Sequence, residues 1–207
     1  MKLFARKNTG AAAVEALLDL VGAVYELVDV EKHEDGSMPP WFMEINPRGE
    51  VPVLQLDDGS IMTESAAIMI YVADLYPRVG LAPAATKASR AQYLRWMVYF
   101  AASPYNADLR MYYAERFSIN PSHAKAIKQK AIIDLNRDFD IFAKQLQEGP
   151  FVLGANVSAV DIYVSMLLTW SEDIAALFVR QPKLKHLHDA VCTIPAVRNV
   201  WQRNSMM

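Results

Sequence analysis

Two short segments place together residue types that can hold an α-amino-acid ligand. In Asn46-Pro47-Arg48-Gly49-Glu50-Val51-Pro52-Val53-Leu54 a proline stands at the head of an apolar run. A proline just before a strand can take the cis form, and a cis Val51–Pro52 bond turns the Val51 N–H and C=O outward where the strand begins. Backbone groups exposed in this way pair with an extended peptide, as an added strand does. Standing alone, the same residues also fit an ordinary loop-to-strand turn. Eleven residues after Pro52 comes Thr63-Glu64-Ser65-Ala66-Ala67-Ile68. Glu64 and Ser65 fall at a predicted helix start, where backbone N–H groups and the positive end of the helix dipole attract a carboxylate. The Glu64 side chain accepts from an ammonium, so the two residues together suit one zwitterionic α-amino-acid group. Without the neighbouring loop they read as an acidic helix start.

The elements that must position these residues alternate over the first part of the chain. Leu3-Phe4-Ala5 and Tyr25 to Val30 read as strands, and between them Ala11, Val14, Leu17, Leu18 and Val21 recur at helical spacing, with Gly22 placed as a C-terminal glycine. A helical turn begins at Pro39-Pro40-Trp41-Phe42. Val53 to Leu56, the turn Asp57-Asp58-Gly59 and Ser60 to Met62 form a hairpin, and a helix runs from Glu64 with Ile68, Met69, Val72 and Leu75 on one face. Pro77 to Pro83 has no period and reads as a linker. Beyond it no strand is expected; residues 86–117, 122–148, 158–177 and 182–203 read as helices broken at Asn120-Pro121, Gly149-Pro150, Gln181-Pro182 and Ile194-Pro195. The division is 1–76, a linker at 77–84, and 85–207.

A chain of 207 residues with 53% hydrophobic and 21% charged residues is ordinary for a folded protein. The single Cys192 excludes an internal disulfide, a Cys-x-x-Cys pair and a thiolate-rich zinc site. His186 and His188 stand two apart and do not share a helix face, and His33 and His123 have no companion at ligand spacing, so no metal is implied. No export signal is read and no apolar run approaches the roughly 20 residues of a membrane span, which points to a cytoplasmic protein without a membrane partner. The net charge of -2 conceals a contrast: residues 1–76 carry 5 Lys/Arg against 13 Asp/Glu, and residues 77–207 carry 16 against 10. The acidic first part argues against a nucleic-acid partner.

A third motif lies at Gly154-Ala155-Asn156-Val157-Ser158-Ala159-Val160-Asp161-Ile162, where Ser158 as N-cap and Asp161 three residues on make a capping box, with Val157 and Ile162 placed for a hydrophobic staple. With all three motifs in this order, the chain resembles the glutathione transferase superfamily over nearly its whole length. The resemblance implies an α/β plus all-α fold, an N-terminal thioredoxin-like domain followed by a C-terminal helical bundle. It implies that Val51 and Pro52 form the loop pairing with the cysteinyl part of glutathione, that Glu64 and Ser65 hold its γ-glutamyl end, and that the capping box starts the central helix of the second domain.

In such proteins the glutathione thiol, with a pKa of about 8.5 and only a few per cent ionised at neutral pH, is held as a thiolate by a hydroxyl or thiol donor. That donor, Tyr, Ser or Cys in the family, sits at the end of the first strand or the start of the first helix. The opening Met1-Lys2-Leu3-Phe4 resembles the bacterial beta class, yet Gly10 takes the place of its cysteine. Thr9 and Asn8 are the candidate catalytic donors, beside the first amides of the helix and the positive charge of Arg6 and Lys7. Thr9 equally suits a helix cap. A hydrophobic electrophile is expected between the domains, facing the aromatic-rich helix kinked at Pro104, with Tyr105 and Tyr112 as pocket residues. The implied activity is a transferase reacting glutathione, as co-substrate, with a small hydrophobic electrophile in detoxification, in a homodimer. The alternative is a non-catalytic binding or regulatory protein of the same fold, which the missing Tyr, Ser or Cys favours.

Overall fold

The computed structural model describes residues 1–207, which divide into two compact units. The first comprises Met1–Ala82 together with Cys192–Met207, and the second Pro83–Val191. The last sixteen residues thus group with the first unit, not with the helical part in which the sequence reading set them. With that return counted, the first unit carries 8 Lys/Arg against 13 Asp/Glu and the second 13 against 10.

In the first unit β1 (Lys2–Ala5), β2 (Glu26–Asp29), β3 (Val53–Gln55) and β4 (Ile61–Met62) form one sheet of order β2-β1-β3-β4. β1 runs parallel to β2 and antiparallel to β3, and β3 runs antiparallel to β4, with Phe4 opposite Val28 on one side and Val53 on the other. Successive strand residues face opposite sides. Since Leu3, Phe4 and Ala5 are all buried, both faces of the central strand are covered. α1 (Ala11–Val21) supplies the parallel crossover and packs on α3 (Ser65–Leu75) and on α10 (Pro195–Arg203). Its alanines at 11, 12, 13 and 16 let backbones approach closely, and every residue from Ala11 to Leu18 is buried, Glu15 included. Gly22 ends it in the left-handed conformation at φ 69°. The short α2 (Pro40–Ile45) seats Phe42 in a cluster with Phe4, Val30 and Val53, against which Val51 and Met38 pack.

The second unit is helical: α4 (Ser89–Ala102), α5 (Pro104–Tyr112), α6 (Ala124–Gln145), α7 (Ala159–Leu168), α8 (Ile174–Arg180) and all but the last residue of α9 (Pro182–Cys192). All ten residues of α7 are buried. Around Phe100 of α4 close the rings of Trp96 and Phe139, each tilted at 39° to it, and that of Phe142, edge to face at 4.7 Å and 87°. Of the four long helices expected from periodicity, the second stands whole as α6, and the other three are cut into shorter pieces. The first breaks at Ser103, because Pro104 has no N–H to donate, and Asn106 Nδ2 instead donates to the Ala101 and Ala102 carbonyls at 3.1 Å. The third breaks after Leu168, where Asp173 caps α8 through its bond from the Ala176 N–H at 2.9 Å. The fourth parts into α9 and α10 at Pro195, and this break releases α10 to the first unit.

Candidate functional site

In the first unit the 46–54 loop is built around Asn46, a buried residue whose side chain supplies bonds that the turning backbone lacks. Its Oδ1 accepts from the Arg48 N–H at 3.2 Å and its Nδ2 donates to the Glu50 carbonyl at 2.7 Å. Gly49 sits at φ 65°, where a side chain would be strained, and a Cβ there would stand 3.0 Å from Met38 Cγ and Met43 Sδ. The loop ends in a cis Val51–Pro52 bond, and because β3 begins only at Val53, the Val51 N–H and C=O lie outside the strand ladder.

Glu64, exposed at the start of α3, is held at φ 67° and ψ 102°. A non-glycine residue in that region costs on the order of 1 kcal/mol and persists where the surroundings impose it, a pattern concentrated at binding sites. Its side chain makes no capping bond to α3, so the carboxylate is not engaged in holding the helix. Ser65 follows as the first helical residue and is buried. Arg48 of the loop pairs with Glu50 and also feels, more weakly, the charge of Glu64. Its guanidinium is pushed above its ordinary range first by the hydrogen bond to Glu50, at 2.9 Å, and further by the charge of Glu64.

The turn from β1 into α1 carries the remaining candidates. Asn8 is in the left-handed region at φ 55°, as Asn tolerates, and its N–H donates to Asn204 Oδ1 at 3.0 Å. The Thr9 hydroxyl donates to the Arg6 carbonyl at 2.6 Å, and its oxygen accepts from the Ala11 N–H at 3.3 Å. Gly10, the N-cap by position, offers no side chain, so Thr9 does the capping from one residue earlier.

In the second unit Tyr105 stacks on Tyr163 at 6.3 Å and meets Trp170 edge-on at 5.4 Å. Tyr112, 56% exposed, donates its hydroxyl to the Trp170 carbonyl at 2.7 Å. Between them along α5 lies Asp108, three residues from Tyr105 and four from Tyr112, so the three share a side of the helix. Asp108 is 2% exposed and neither carboxyl oxygen has a hydrogen-bond partner; burial pushes its pKa well above the usual carboxylate range. The sequence assigns no role to Asp108 and Asn204, which belong to no local motif, nor to the side chain of Asn46, whose motif points to Val51 and Pro52 instead. The Ser158 capping box is present, and Asp161 in it also receives the Val152 N–H at 2.6 Å. No group of three His, Cys, Asp or Glu side chains gathers within reach of one metal ion, and no helix is long and apolar enough to cross a membrane.

The comparisons with known proteins agree with this arrangement. Residues 11–75 match the family described as glutathione S-transferase, N-terminal domain, and residues 106–195 match glutathione S-transferase, C-terminal domain. An uncharacterised GST-like protein of Escherichia coli K12, YncG, is 29% identical over the full length of both chains. Among solved structures, a glutathione transferase homologue from Sulfitobacter with bound glutathione superposes with a TM-score of 0.89 at 25% identity, covering 100% of this chain and 98% of that one. The bacterial enzyme BphK, in a ternary complex, gives 0.84 at 29% identity, covering 99% and 100%. The chain belongs to the glutathione transferase superfamily.

Proposed function

We propose that this protein is a glutathione transferase in which the thiolate of glutathione attacks a small hydrophobic electrophile. The observation that carries the reading is the presence in one unit of the Val51 backbone groups left outside the strand ladder, the strained and exposed Glu64 and the Ser65 helix start. Val51 and Pro52 would align the cysteinyl segment as an added strand, Glu64 would accept from the γ-glutamyl ammonium, and the Ser65 end of α3 would take its carboxylate. The reaction begins when the thiol proton leaves for solvent and the sulfur lone pair attacks an electrophilic carbon; the departing group, or a proton taken up by the adduct, balances the charge. Donors at Thr9 and Asn8 and the first amides of α1 would stabilise the anion, with Tyr105 and Tyr112 receiving the electrophile. Dehalogenation, peroxide reduction and ether cleavage use the same thiolate. A homodimer in the cytoplasm, acting in detoxification, is the setting we propose.

The bond from the Thr9 hydroxyl to the Arg6 carbonyl favours a second reading, a non-catalytic glutathione-binding protein, because that proton already has an acceptor. Calorimetry with glutathione followed by ultraviolet titration of the bound thiol separates the two. Saturable binding with a thiol pKa well below about 8.5 supports the transferase; binding with an unshifted thiol supports the binding protein; no binding overturns both.

A further inference from the structure

The turn that follows α10 reaches back to the turn that carries the candidate thiol donors. Asn204 follows α10 and is 5% exposed. Its Nδ2 donates to the Val200 carbonyl at 3.0 Å and to Glu15 Oε2 at 3.4 Å, while its Oδ1 accepts from the Asn8 N–H at 3.0 Å. One carboxamide therefore donates toward α1 and accepts from the β1–α1 turn, a combination open to Asn and Gln but not to a carboxylate or an apolar side chain. Arg203 reinforces the placement by donating to Glu15 Oε1 at 2.7 Å and Asp19 Oδ2 at 3.1 Å. Glu15 is buried, and a buried carboxylate without these partners would be costly.

Asn8 needs an external acceptor. In the left-handed conformation at φ 55° it has left the β1 ladder, which ends at Ala5, and it has not entered α1, which starts at Ala11. Its N–H finds its acceptor 196 residues away in sequence. Thr9 and the first amides of α1 follow directly, so the aim of all of them depends on where Asn8 is held.

We propose that Asn204 is a positioning residue for the thiolate site: the C-terminal turn sets the β1–α1 turn so that its donors converge on the glutathione sulfur. This inference rests on the transferase reading above and adds to it an element that touches neither substrate.

The test uses the full chain and compares the wild type with Asn204→Ala and with the polarity-swapped pair Asn204→Asp plus Glu15→Gln. In the pair, the new carboxylate accepts from the Asn8 N–H and from the new amide at position 15, so the link between the β1–α1 turn and α1 is rebuilt with its donor and acceptor exchanged, and only the bond to the Val200 carbonyl is given up. Readouts are the pKa of the bound thiol, KM for glutathione and kcat separately, and hydrogen exchange at the Asn8 amide. Asn204→Ala is expected to raise the thiol pKa by about one unit and to lower kcat about tenfold at fixed pH, with KM within about twofold. Asn8 exchange should quicken more than tenfold, and the swapped pair should recover most of both losses. If Asn204→Ala proves too unstable to assay, Asn204→Ser, whose shorter side chain falls short of the Asn8 N–H, takes its place: a thiol pKa raised by about one unit supports the inference, and one within about 0.3 units of wild type overturns it. An Asn204→Ala protein whose thiol pKa and kcat equal those of the wild type overturns the inference alone. A wild-type protein that leaves the bound thiol at its solution pKa overturns the transferase reading, and this inference with it.

Discussion

The Thr9 hydroxyl donates to the Arg6 carbonyl at 2.6 Å, so the side chain proposed to stabilise the thiolate also closes the turn leading into α1. The two tasks separate on mutation. Thr9→Ala should cost about 1 kcal/mol of stability as a lost cap, which chemical denaturation measures. It should also raise the bound thiol's pKa and lower turnover while leaving glutathione affinity nearly unchanged, because a hydroxyl that turns from Arg6 to the sulfur interacts only with the anion. Loss of stability with an unmoved thiol pKa would assign Thr9 to capping and leave activation to Asn8 and the amides of α1.

Glu64 offers a comparison that distinguishes binding from strain. Glu64→Ala should weaken glutathione binding by roughly 2 to 4 kcal/mol, since a bound ammonium would lose its charge partner, yet Ala inherits the unfavourable φ of 67°. Glu64→Gly should lose as much affinity but gain up to about 1 kcal/mol of stability by relieving the backbone. Calorimetry and denaturant titration on both variants check this. Wild-type affinity in either variant would remove the case for Glu64 in recognition.

How far these features were legible in the sequence depends on the range of the interaction that makes them. The turn at Gly22, the loop at Val51-Pro52 and the Ser158–Asp161 box each follow from residues within a few positions of one another, and local chemistry specifies them. Helix lengths in the second unit were less legible. Periodicity continues through Ser103 and through residues 169–173; Pro104 marks a kink in the first stretch, but the end of a helix there rests on Asn106, and the break in the second shows in the cap that Asp173 supplies. The bond joining Asn8 to Asn204 spans nearly the whole chain, and no spacing rule reaches that far. Asp108 lay hidden for a different reason: within an apolar-periodic helix an aspartate reads as solvent-facing, whereas here it occupies the buried side.

Asp108 should therefore be a liability for stability. With both oxygens unpartnered and the residue 2% exposed, Asp108→Asn keeps the shape and removes the ionisable group. Above the ordinary carboxylate range the variant should be more stable than wild type by about 1 to 3 kcal/mol, measured by urea unfolding at neutral pH. A destabilised Asp108→Asn would mean that the carboxyl meets a partner in solution.

Asp161 presents the opposite environment and a defined pH window. It accepts from the Val152 N–H at 2.6 Å, the Ser158 N–H at 2.7 Å and the Ser158 hydroxyl at 2.7 Å, yet burial outweighs these donors and pushes its pKa up to about 6. Because the folded pKa lies above the unfolded one, the folded state binds the extra proton. The associated stability is fully present below about pH 4 and is lost as pH rises toward about 6. Asp161→Asn should be less stable than wild type by about 2 to 4 kcal/mol at low pH, since its amide NH2 would face the Ser158 donors. That deficit should shrink through the window as the wild type loses its share. Urea unfolding of both proteins from pH 4 to 7 checks it; a deficit that grows with pH would make the three hydrogen bonds the stronger influence.

The proposed homodimer brings two forces into competition. An isologous pairing of the first unit of one subunit with the second unit of the other would set acidic against basic surface twice. Grouping Cys192–Met207 with the first unit reduces that contrast, however, to 8 Lys/Arg against 13 Asp/Glu in one unit and 13 against 10 in the other. Apolar surface is available as well: Leu94 and Val98, 36% and 59% exposed, stand four residues apart on α4, and Tyr71 and Leu75, 37% and 49% exposed, stand four apart on α3. Exposed apolar pairs at this spacing form helical stripes, and burying such side chains contributes about 1.5 to 3 kcal/mol each, against at most about 1 kcal/mol for a solvent-exposed ion pair. Hydrophobic contact should therefore dominate, with charge adding a smaller, screenable part. Sedimentation equilibrium should show a dimer whose dissociation constant rises only about three- to tenfold as the Debye length falls from ~10 Å to ~3 Å. Val98→Arg, by contrast, should give monomer at micromolar concentration at every salt. A dissociation constant unaffected by salt would eliminate the electrostatic part, and a dimer that survives Val98→Arg would place the interface elsewhere.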